Sequence, residues 1–331
     1  MTDEELLLLP TVDLHLHLVG SASPSTVADL AARHPAAGVP ADLAALEQFY
    51  VFRDFPHFID VYTAVSSLVR GGEDLQLLVE GLGQDLRAQG VPYAEVTVTP
   101  WTHEQNGIPA SEVATALDAG AAAARHASGV ELAWIYDISA NDGEPGALGT
   151  LAAALDHPPA ALVGFGLGGP EVGHPRADFA GVFAQARAAG LHSVPHAGET
   201  VGADEVWSAV RDLGAERIGH GIGAAEDPAL LDVLRDRGIW LEVCPSSNVA
   251  TSAVADLAQH PLPALLAAGV PVTLASDDPP MFGTSLLEEY RRARDVLGLG
   301  REELHALAMA GVRASFAPPA TRDRLLRELA G

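Results

Sequence analysis

The sequence contains no lysine, because all 19 of its basic residues are arginine. A P-loop needs a phosphate-binding lysine, and pyridoxal enzymes and Schiff-base aldolases need a nucleophilic amine, so the sequence excludes these chemistries. Cysteine occurs only once, as Cys244. A single cysteine excludes a disulfide framework and a cysteine-based zinc site, and it favours a reducing compartment.

Positive charge is also scarce, since 44 acidic residues give the chain a formal net charge of −25. Such a chain is a poor ligand for nucleic acid, whose phosphates are bound by cationic side chains. The N-terminus is acidic where a signal peptide would be basic, and its apolar run, Leu6 to Leu9, is too short to span a bilayer. We therefore expect a cytoplasmic protein without nucleic-acid or membrane partners.

What the chain does contain is a regular alternation of short β-like runs with longer helical stretches. Parallel strands need crossover helices, and eight such units predict a (β/α)8 TIM barrel. An open doubly wound sheet is the alternative, but no G-x-G-x-x-G follows the first strand. We expect one domain over residues 1–331, with a helical insertion at 39–69, after the first strand, lying over the barrel mouth. The eight predicted strands are 11–18, 93–99, 131–138, 161–167, 191–196, 217–219, 239–243 and 270–275.

Histidines stand at the ends of three of these strands. His15 and His17 lie two residues apart on the first strand, so their imidazoles project from the same face. Two imidazoles placed in this way can bind one metal ion, although they can also be polar residues on an exposed face. His196 closes the fifth strand and His220 closes the sixth. Either histidine can alternatively pack in the interior or cap a loop.

Carboxylates accompany these histidines. Glu199 follows His196, and Asp277 and Asp278 close the eighth strand. Taken singly, Glu199 is a favourable acid in a first helical turn, and Asp-Asp-Pro is ordinary turn composition. In a TIM barrel, however, the carboxyl ends of all strands converge on one mouth. Three histidines and one aspartate there form a zinc shell that leaves a position for water.

Six segments together resemble the adenosine deaminase family of the amidohydrolase superfamily. They occur in the family's order and span nearly the whole chain, and the set is far more specific than any one segment. The segments are VDLHLHLVGS (12–21), GFGLGGPE (164–171), HAGET (196–200), RIGHG (217–221), EVCPSSN (242–248) and SDDP (276–279).

The resemblance implies a role for each matching residue. Glu199 matches the acid that protonates purine N1, and His220 matches the histidine that orients the metal-activated hydroxide attacking C6. Asp278 matches the aspartate that contacts N7, and Gly169 matches the amide that contacts N3. Ammonia then leaves from the tetrahedral carbon. The residues that match the family's metal ligands, usually for zinc, are His15, His17, His196 and Asp277.

The chain departs from the family at Val19, where the common motif H-L-D-G has an aspartate that contacts the ribose 5′-hydroxyl. Valine cannot accept that hydrogen bond. The expected activity is zinc-dependent hydrolytic deamination of a 6-aminopurine nucleoside, of the adenosine-to-inosine type. The alternative is a 5′-substituted adenosine, such as 6-aminodeoxyfutalosine or methylthioadenosine, or free adenine. The fourth-strand segment has Gly-Gly-Pro-Glu instead of Ala-Gly-Asp-Glu, which makes the contact at Gly169 less secure.

The 39–69 insertion carries an aromatic stripe that is a candidate cover for the substrate. Phe55 and Phe58 share a helical face, and Arg53 lies where it could meet an anionic 5′ group. Such a stripe is more often core, and an exposed arginine more often pairs with a nearby acid. Phe55, Phe58 and Arg53 are therefore secondary site candidates.

Two other functions fit a barrel of this kind, a cyclic-amide hydrolase and a non-catalytic binding barrel. A non-catalytic relative would be expected to lose metal ligands or Glu199, and none is lost. Many amidohydrolase barrels hold two metals bridged by a carbamylated lysine, which this lysine-free chain cannot supply. We therefore expect one zinc ion per chain and a small purine substrate, with homo-oligomerisation left open.

Overall fold

The computed structural model describes residues 1–330 and forms an eight-stranded parallel barrel surrounded by helices. The strands follow one another around the sheet in sequence order, β1 to β8. This order confirms the predicted TIM barrel and excludes the open doubly wound sheet, in which the strand order reverses. The strands are Asp13–His17, Tyr93–Val98, Glu131–Ser139, Leu162–Gly168, His192–Ala197, Arg217–His220, Trp240–Val243 and Val272–Leu274.

The barrel closes between its last and first strands through a short contact. Leu16 and Asp277 form an isolated parallel bridge, in which the Asp277 amide donates to the His15 carbonyl at 2.9 Å. The His17 amide donates in turn to the Asp277 carbonyl at 3.2 Å. The backbone of Asp277 therefore lies directly beside the two histidines of β1.

Helices connect the strands and cover the outside of the barrel. The segment 39–69 after β1 contains two of them, α3 and α4. No helix within residues 1–330 is both long and apolar enough to cross a bilayer. The helices α1 to α16 are Asp3–Leu7, Pro24–Arg33, Leu43–Phe49, Phe55–Ser66, Gly72–Ala88, Pro100–Gln105, Ala110–Ser128, Gly143–Asp156, Ala180–Ala188, Ala203–Ser208, Pro228–Arg237, Pro245–Ala250, Leu262–Ala267, Leu286–Asp295, Arg301–Ala314 and Pro319–Ala330.

Several helices begin where the sequence carries a capping residue followed by proline. The Ser23 side chain accepts a hydrogen bond from the Thr26 amide, and Asp54 does the same for the His57 amide at the start of α4. These caps satisfy backbone amides that have no partner inside the helix, and proline tolerates the first helical turn. The position of α4 is thus fixed by local sequence.

The strands alternate between the helix-covered outer face and the barrel interior. On β1, Leu14 and Leu16 are buried with the apolar core, while His15 and His17 occupy the alternate positions. The interior also holds charged residues on three strands, Glu95, Arg217 and Glu242. The apolar outer face thereby turns the two histidines inward, toward the carboxyl end of the barrel.

Candidate active site

A cavity of about 290 Å³ opens at the carboxyl ends of the strands. Side chains from several strand ends share its wall with the aromatic face of α4. In a TIM barrel this end carries the catalytic groups. The predicted site residues that line it are His17, Phe55, Phe58, Gly169, His196, Glu199, His220, Asp277 and Asp278.

Three imidazoles converge at the floor of this cavity, from β1 and β5. The ligand nitrogens of His15, His17 and His196 lie within 4.8 Å of one another. Gly219 on β6 leaves the space for them, because a Cβ there would lie 2.6 Å from the His15 ring. A glycine is therefore needed at position 219, because the rings of His15 and His196 on the other strands occupy the space of a side chain.

The cluster has the chemistry of a cation site. His17 Nε2 lies 3.1 Å from His196 Nε2 and 3.3 Å from an Asp277 oxygen. His15 donates from Nδ1 to Glu242 at 2.7 Å, which directs the lone pair of its Nε2 into the cluster. That Nε2 atom is buried and has no hydrogen-bond partner within residues 1–330. One divalent cation would satisfy these nitrogens and the carboxylate together, so the residues fit a metal ion.

Burial and neighbouring charges shift the pKa values of this cluster in different directions. Burial lowers the pKa of His15, and burial with the neighbouring imidazoles holds the pKa of His196 well below its usual range. Burial opposes ionisation of Asp277, but contact with three histidines outweighs it and holds the pKa of that carboxyl low. Burial also opposes charge on His17, yet Asp278 and Asp277 outweigh it and raise the His17 pKa to about 10. The cluster thus favours one positive charge beside the Asp277 carboxylate, and a bound cation would supply that charge in place of the His17 proton.

The loop after β5 places Glu199 beside this cluster. Glu171 accepts hydrogen bonds from the amides of Gly198, Glu199 and Thr200 at 2.5, 3.0 and 2.7 Å. Three amides on one buried carboxylate fix the backbone of the loop. Thr251 donates to the Glu199 carboxyl at 3.2 Å, and burial raises the pKa of Glu199. A carboxyl with a raised pKa suits a general acid.

Arg176 joins the loops that follow β4 and β5. This fully buried arginine donates to the carbonyls of His196, Gly169 and His174 at 2.8, 3.3 and 3.2 Å. Gly169 has a φ of +78°, which a glycine adopts without strain. One side chain therefore holds the backbone of a cluster histidine and that of the glycine in the cavity wall.

His220 is oriented by a chain of hydrogen bonds. The Leu262 amide donates to His260 Nδ1, so the proton of His260 lies on Nε2, which is 3.1 Å from Asn248 Oδ1. The Asn248 amide group then donates to His220 Nδ1 at 3.1 Å. The proton of a neutral His220 consequently lies on Nε2, 3.7 Å from Glu199 and 3.8 Å from Asp277.

Asp278 lies against Gly20, the last residue of the HLVG motif. A Cβ on Gly20 would lie 1.6 Å from Asp278 Oδ1, so the glycine makes room for the carboxyl. That oxygen is buried without a hydrogen-bond partner among the described residues. Burial and the adjacent Asp277 carboxylate hold the pKa of Asp278 well above its usual value. A neutral carboxyl on the cavity wall can donate a hydrogen bond to a ligand.

Three predicted residues do not line the main cavity, namely His15, which lies in the buried histidine cluster, Val19 and Arg53. Val19 is buried and lines a smaller neighbouring cavity, which shares Tyr62 with the main one. Arg53 is exposed, and its amide donates to His57 Nδ1 at 3.2 Å. The chain turns outward ahead of α4, so Phe55 and Phe58 reach the cavity whereas Arg53 does not.

Sequence reasoning assigned no role to several residues that build this site. Three of them, Glu171, Glu242 and Asn248, lie inside the segments that carry the family resemblance. Glu242 also interrupts an apolar strand, which is a visible sign of a buried charge with a partner. Asp137 gives the same sign, since it interrupts the apolar run at 132–138 on β3. It lines the cavity and accepts a hydrogen bond from Thr99 at 2.6 Å, and burial raises its pKa to about 6.

Comparison with known proteins decides the family. The family model described as adenosine deaminase matches residues 10–331. The chain belongs to the adenosine deaminase family. It is 49% identical over 323 residues to an aminodeoxyfutalosine deaminase from Streptomyces coelicolor, covering 97% of this chain and 84% of the relative. It is 38% identical to an adenine deaminase from a Chelativorans species, covering 97% and 98%.

A solved structure of an adenine deaminase from Arthrobacter aurescens superposes with a TM-score of 0.91 at 32% identity, covering 97% of this chain and 98% of that one. The predicted family and the predicted enzyme class are confirmed, since this protein is a hydrolytic deaminase that acts on a C–N bond. Deaminases of this superfamily typically use a metal, and the His/Asp cluster of this deaminase can bind one.

Proposed function

We propose that this deaminase hydrolyses the 6-amino group of a 5′-substituted adenosine, with aminodeoxyfutalosine as its principal substrate and one zinc ion as its cofactor. The observation that carries the chemistry is the convergence of three imidazoles and Asp277 beside Glu199, a carboxyl whose pKa burial raises. The 49% identical aminodeoxyfutalosine deaminase favours the 5′-substituted alternative over plain adenosine.

We propose that the ion is held by His15, His17, His196 and Asp277. Zinc accepts mixed nitrogen and oxygen ligands and tolerates an open position at a catalytic site. When bound, the ion supplies the Lewis acidity that makes hydroxide available from water near pH 7. The hydrogen bond from His15 to Glu242 fixes the ring orientation and raises the basicity of the ligand nitrogen.

The side chains around the cluster would direct the proton transfers. Water adds at C6 while the Glu199 carboxyl donates its proton to ring N1, which compensates for the loss of aromaticity. His220, with its proton on Nε2, lies beside both Glu199 and Asp277 and would orient the incoming water. The proton that the water loses would return to the Glu199 carboxylate. The C6–N bond then breaks as the hydroxyl proton of the adduct passes to the amino group, so that ammonia leaves, N1 keeps its proton and an oxo group replaces the amine.

Two further groups would fix the position of the purine ring by hydrogen bonds. Asp278, kept neutral by burial and by Asp277, can donate a hydrogen bond to N7, which is an acceptor. Gly169 lies on the cavity wall and can present its amide to N3. Phe55 and Phe58 of α4 would cover the substrate and exclude water, in the role expected for the 39–69 insertion.

The rest of the wall suits a substrate larger than a free base. Ser66, Gln105, Asn106 and Asn141 line the same cavity and offer uncharged hydrogen-bonding groups. Free adenine has no substituent that would use these groups, whereas a 5′-substituted ribose could reach them. Adenine remains the second candidate, because relatives at 38% and 32% identity are adenine deaminases.

A comparison of four substrates tests the proposal. Zinc-loaded protein is assayed for ammonia release from aminodeoxyfutalosine, methylthioadenosine, adenosine and adenine. We expect kcat/KM for aminodeoxyfutalosine to exceed that for adenine and adenosine by about a hundredfold, equivalent to ~2.7 kcal/mol of transition-state binding. A preference for adenine would overturn the substrate assignment. Failure to release ammonia from all four would overturn the proposed deamination of a 6-aminopurine.

The variant Val19→Asp tests the basis of 5′ tolerance. Val19 lines the smaller cavity, which is joined to the main cavity by shared wall residues such as Tyr62. A carboxylate at position 19 can therefore approach the ribose only past these residues. We expect the ratio of kcat/KM for adenosine to that for aminodeoxyfutalosine to rise. Val19→Asn is the uncharged control. An unchanged ratio in the aspartate variant would remove Val19 from the specificity determinants.

A further inference from the structure

A second cavity, of about 730 Å³, lies at the opposite end of the barrel from the active site. Its wall is built from the segments that precede β5, β6 and β7, and from the segment after α15. These are the amino ends of the strands, whereas the catalytic groups lie at the carboxyl ends. None of the residues that line this cavity also lines the active-site cavity.

The wall of this second cavity concentrates positive charge in a strongly acidic protein. Its one carboxylate, Glu216, pairs with His192 at 2.9 Å. Arg217 is paired with Glu95 and Glu242, but the other five arginines form no ion pair and no side-chain hydrogen bond with any residue in 1–330. The arginines that line the cavity are Arg187, Arg211, Arg217, Arg237, Arg313 and Arg322.

This convergence needs an explanation, because the chain has 44 acidic side chains for only 19 arginines. Several arginines elsewhere on the surface are paired with carboxylates, as Arg235 is with Asp232 and Asp236. Bringing several unpaired cations to one concave surface is electrostatically unfavourable unless an anion neutralises them. The cavity therefore has the charge of an anion site.

Several of these guanidinium groups are held in place by their neighbours. Arg187 packs on Gly214, where a Cβ would lie 2.2 Å from its Nη1 atom. Arg211 lies 4.0 Å above the Trp207 ring, and Arg217 lies 4.1 Å above Phe316. Side chains that are already ordered lose less conformational entropy when a ligand binds.

An aromatic surface adjoins the arginines. The rings of His192 and Phe316 are stacked, with centroids 3.7 Å apart and an angle of 2° between their planes. Arg217 occupies the other side of Phe316, and His192 is partly exposed. A flat ring carried by an anionic ligand could therefore stack beside these arginines.

We propose that this cavity binds a small anion with two or more phosphoryl groups, either inorganic or carried by a nucleotide. Arginine presents a planar fork of donors that matches phosphate oxygens. Six arginines around 730 Å³ offer more donors than one orthophosphate can use. A long polyanion such as nucleic acid would be repelled by the surrounding net charge of −25. The site is separate from the proposed deaminase chemistry.

Calorimetric titration of the full chain with inorganic pyrophosphate, ATP and orthophosphate tests this site. The variant R187Q/R237Q removes two cavity arginines, and R87Q/R125Q is its control. All four arginines are exposed, lie in the last turn of a helix and form no ion pair within residues 1–330. We expect saturable one-to-one binding of pyrophosphate, with Kd raised about tenfold or more in R187Q/R237Q and within about twofold of wild type in R87Q/R125Q.

The relative affinities of the three anions show which part of the ligand the cavity recognises. Tighter binding of ATP than of pyrophosphate would place a base on the His192–Phe316 pair, and equal binding would assign recognition to the phosphates alone. Absence of saturable binding of all three anions at constant ionic strength would overturn the proposal, as would equal weakening in both double variants. If R187Q/R237Q does not fold, judged by its circular dichroism, R313Q replaces it with the same expectation.

Discussion

At the scale of single residues, the site holds two non-glycine residues in the left-handed backbone region. His220 has a φ of +58° and Asp277 a φ of +66°, each at the end of its strand. Such conformations cost about 1–3 kcal/mol and persist only where the surroundings enforce them. Asp277 is held by the closing contact with β1, and His220 by Asn248. The strain turns both side chains into the cavity.

Glu199→Gln separates proton donation from metal binding. Glutamine keeps the shape of the side chain but has no acidic proton, and Glu199 is outside the proposed ligand set. We expect kcat to fall by about 10²–10⁴ while the metal content, measured by elemental analysis, stays the same. A variant with near wild-type turnover would contradict the role of Glu199 as the acid.

The same carboxyl determines how activity depends on pH. Burial raises the pKa of Glu199, so the protonated donor persists above the range of an ordinary glutamate. We expect wild-type kcat/KM to decrease as the pH rises through that pKa, because the proton is lost. In Glu199→Gln this alkaline limb should be absent from the residual activity, and its persistence would assign the limb to another group.

Asn248→Leu tests the chain of hydrogen bonds behind His220. Leucine is similar in size but cannot donate to His220 Nδ1, so the ring is free to place its proton on either nitrogen. We expect kcat to fall about 10–100-fold with little change in KM or metal content. Unchanged kcat would show that His220 is positioned by other contacts.

At the scale of the elements, three strands are linked by buried charges inside the barrel. Arg217 on β6 pairs with Glu95 on β2 at 2.5 Å and with Glu242 on β7 at 2.6 Å, and it donates to the Ala314 carbonyl at 3.0 Å. Burial opposes ionisation of Glu242, but Arg217 and His15 outweigh it and lower the Glu242 pKa. This network connects a predicted metal ligand to the far end of the barrel.

Arg217→Met should destabilise the barrel strongly, because it leaves two buried carboxylates without their cation. We expect a loss of about 3–5 kcal/mol in the free energy of unfolding, measured by urea denaturation. Arg235→Met, which breaks an exposed ion pair on α11, should cost no more than about 1 kcal/mol. Equal effects of the two substitutions would mean that the buried network contributes nothing beyond a surface pair.

At the scale of the whole molecule, the excess of 25 negative charges opposes the compact state. Salt weakens this repulsion, since the Debye length shortens from about 30 Å at ~0.01 M to about 8 Å at ~0.15 M. Salt also weakens the surface ion pairs, but each contributes at most about 1 kcal/mol. We expect the Tm measured by calorimetry to rise over this range of NaCl. A falling Tm would show that the ion pairs outweigh the repulsion.

The variant R187Q/R237Q controls for a different origin of this effect. Chloride that binds in the arginine-lined cavity would also raise Tm, but the variant would reduce that contribution. General screening predicts that the variant keeps the rise, because its net charge is still more negative than that of the wild type. Loss of the rise in the variant would trace the salt effect to the cavity.

The sequence by itself determined the architecture and the central cluster of this deaminase. Alternating β-like and helical runs sufficed to predict the barrel, because parallel strands need crossover helices. Local capping residues determine where those helices begin. Strand-end motifs sufficed to group the histidines and aspartates at one mouth, because a barrel brings the carboxyl ends of its strands together. The family resemblance then selected His15, His17, His196 and Asp277 among them. The same rule placed Glu199 and His220 at this mouth, and the resemblance assigned their roles.

Tertiary structure alone decided which side chains support that cluster and what lies outside it. Arg217 reaches Glu95 and Glu242 only through the register of strands far apart in the chain. Arg53 is exposed outside the cavity although Phe55, two residues further on, lines it. The sequence around Arg53 does not show this difference in direction. The arginine-lined cavity likewise gathers residues from four separated segments. Local patterns specify elements and their ends, whereas contacts between distant side chains depend on how the closed barrel brings them together.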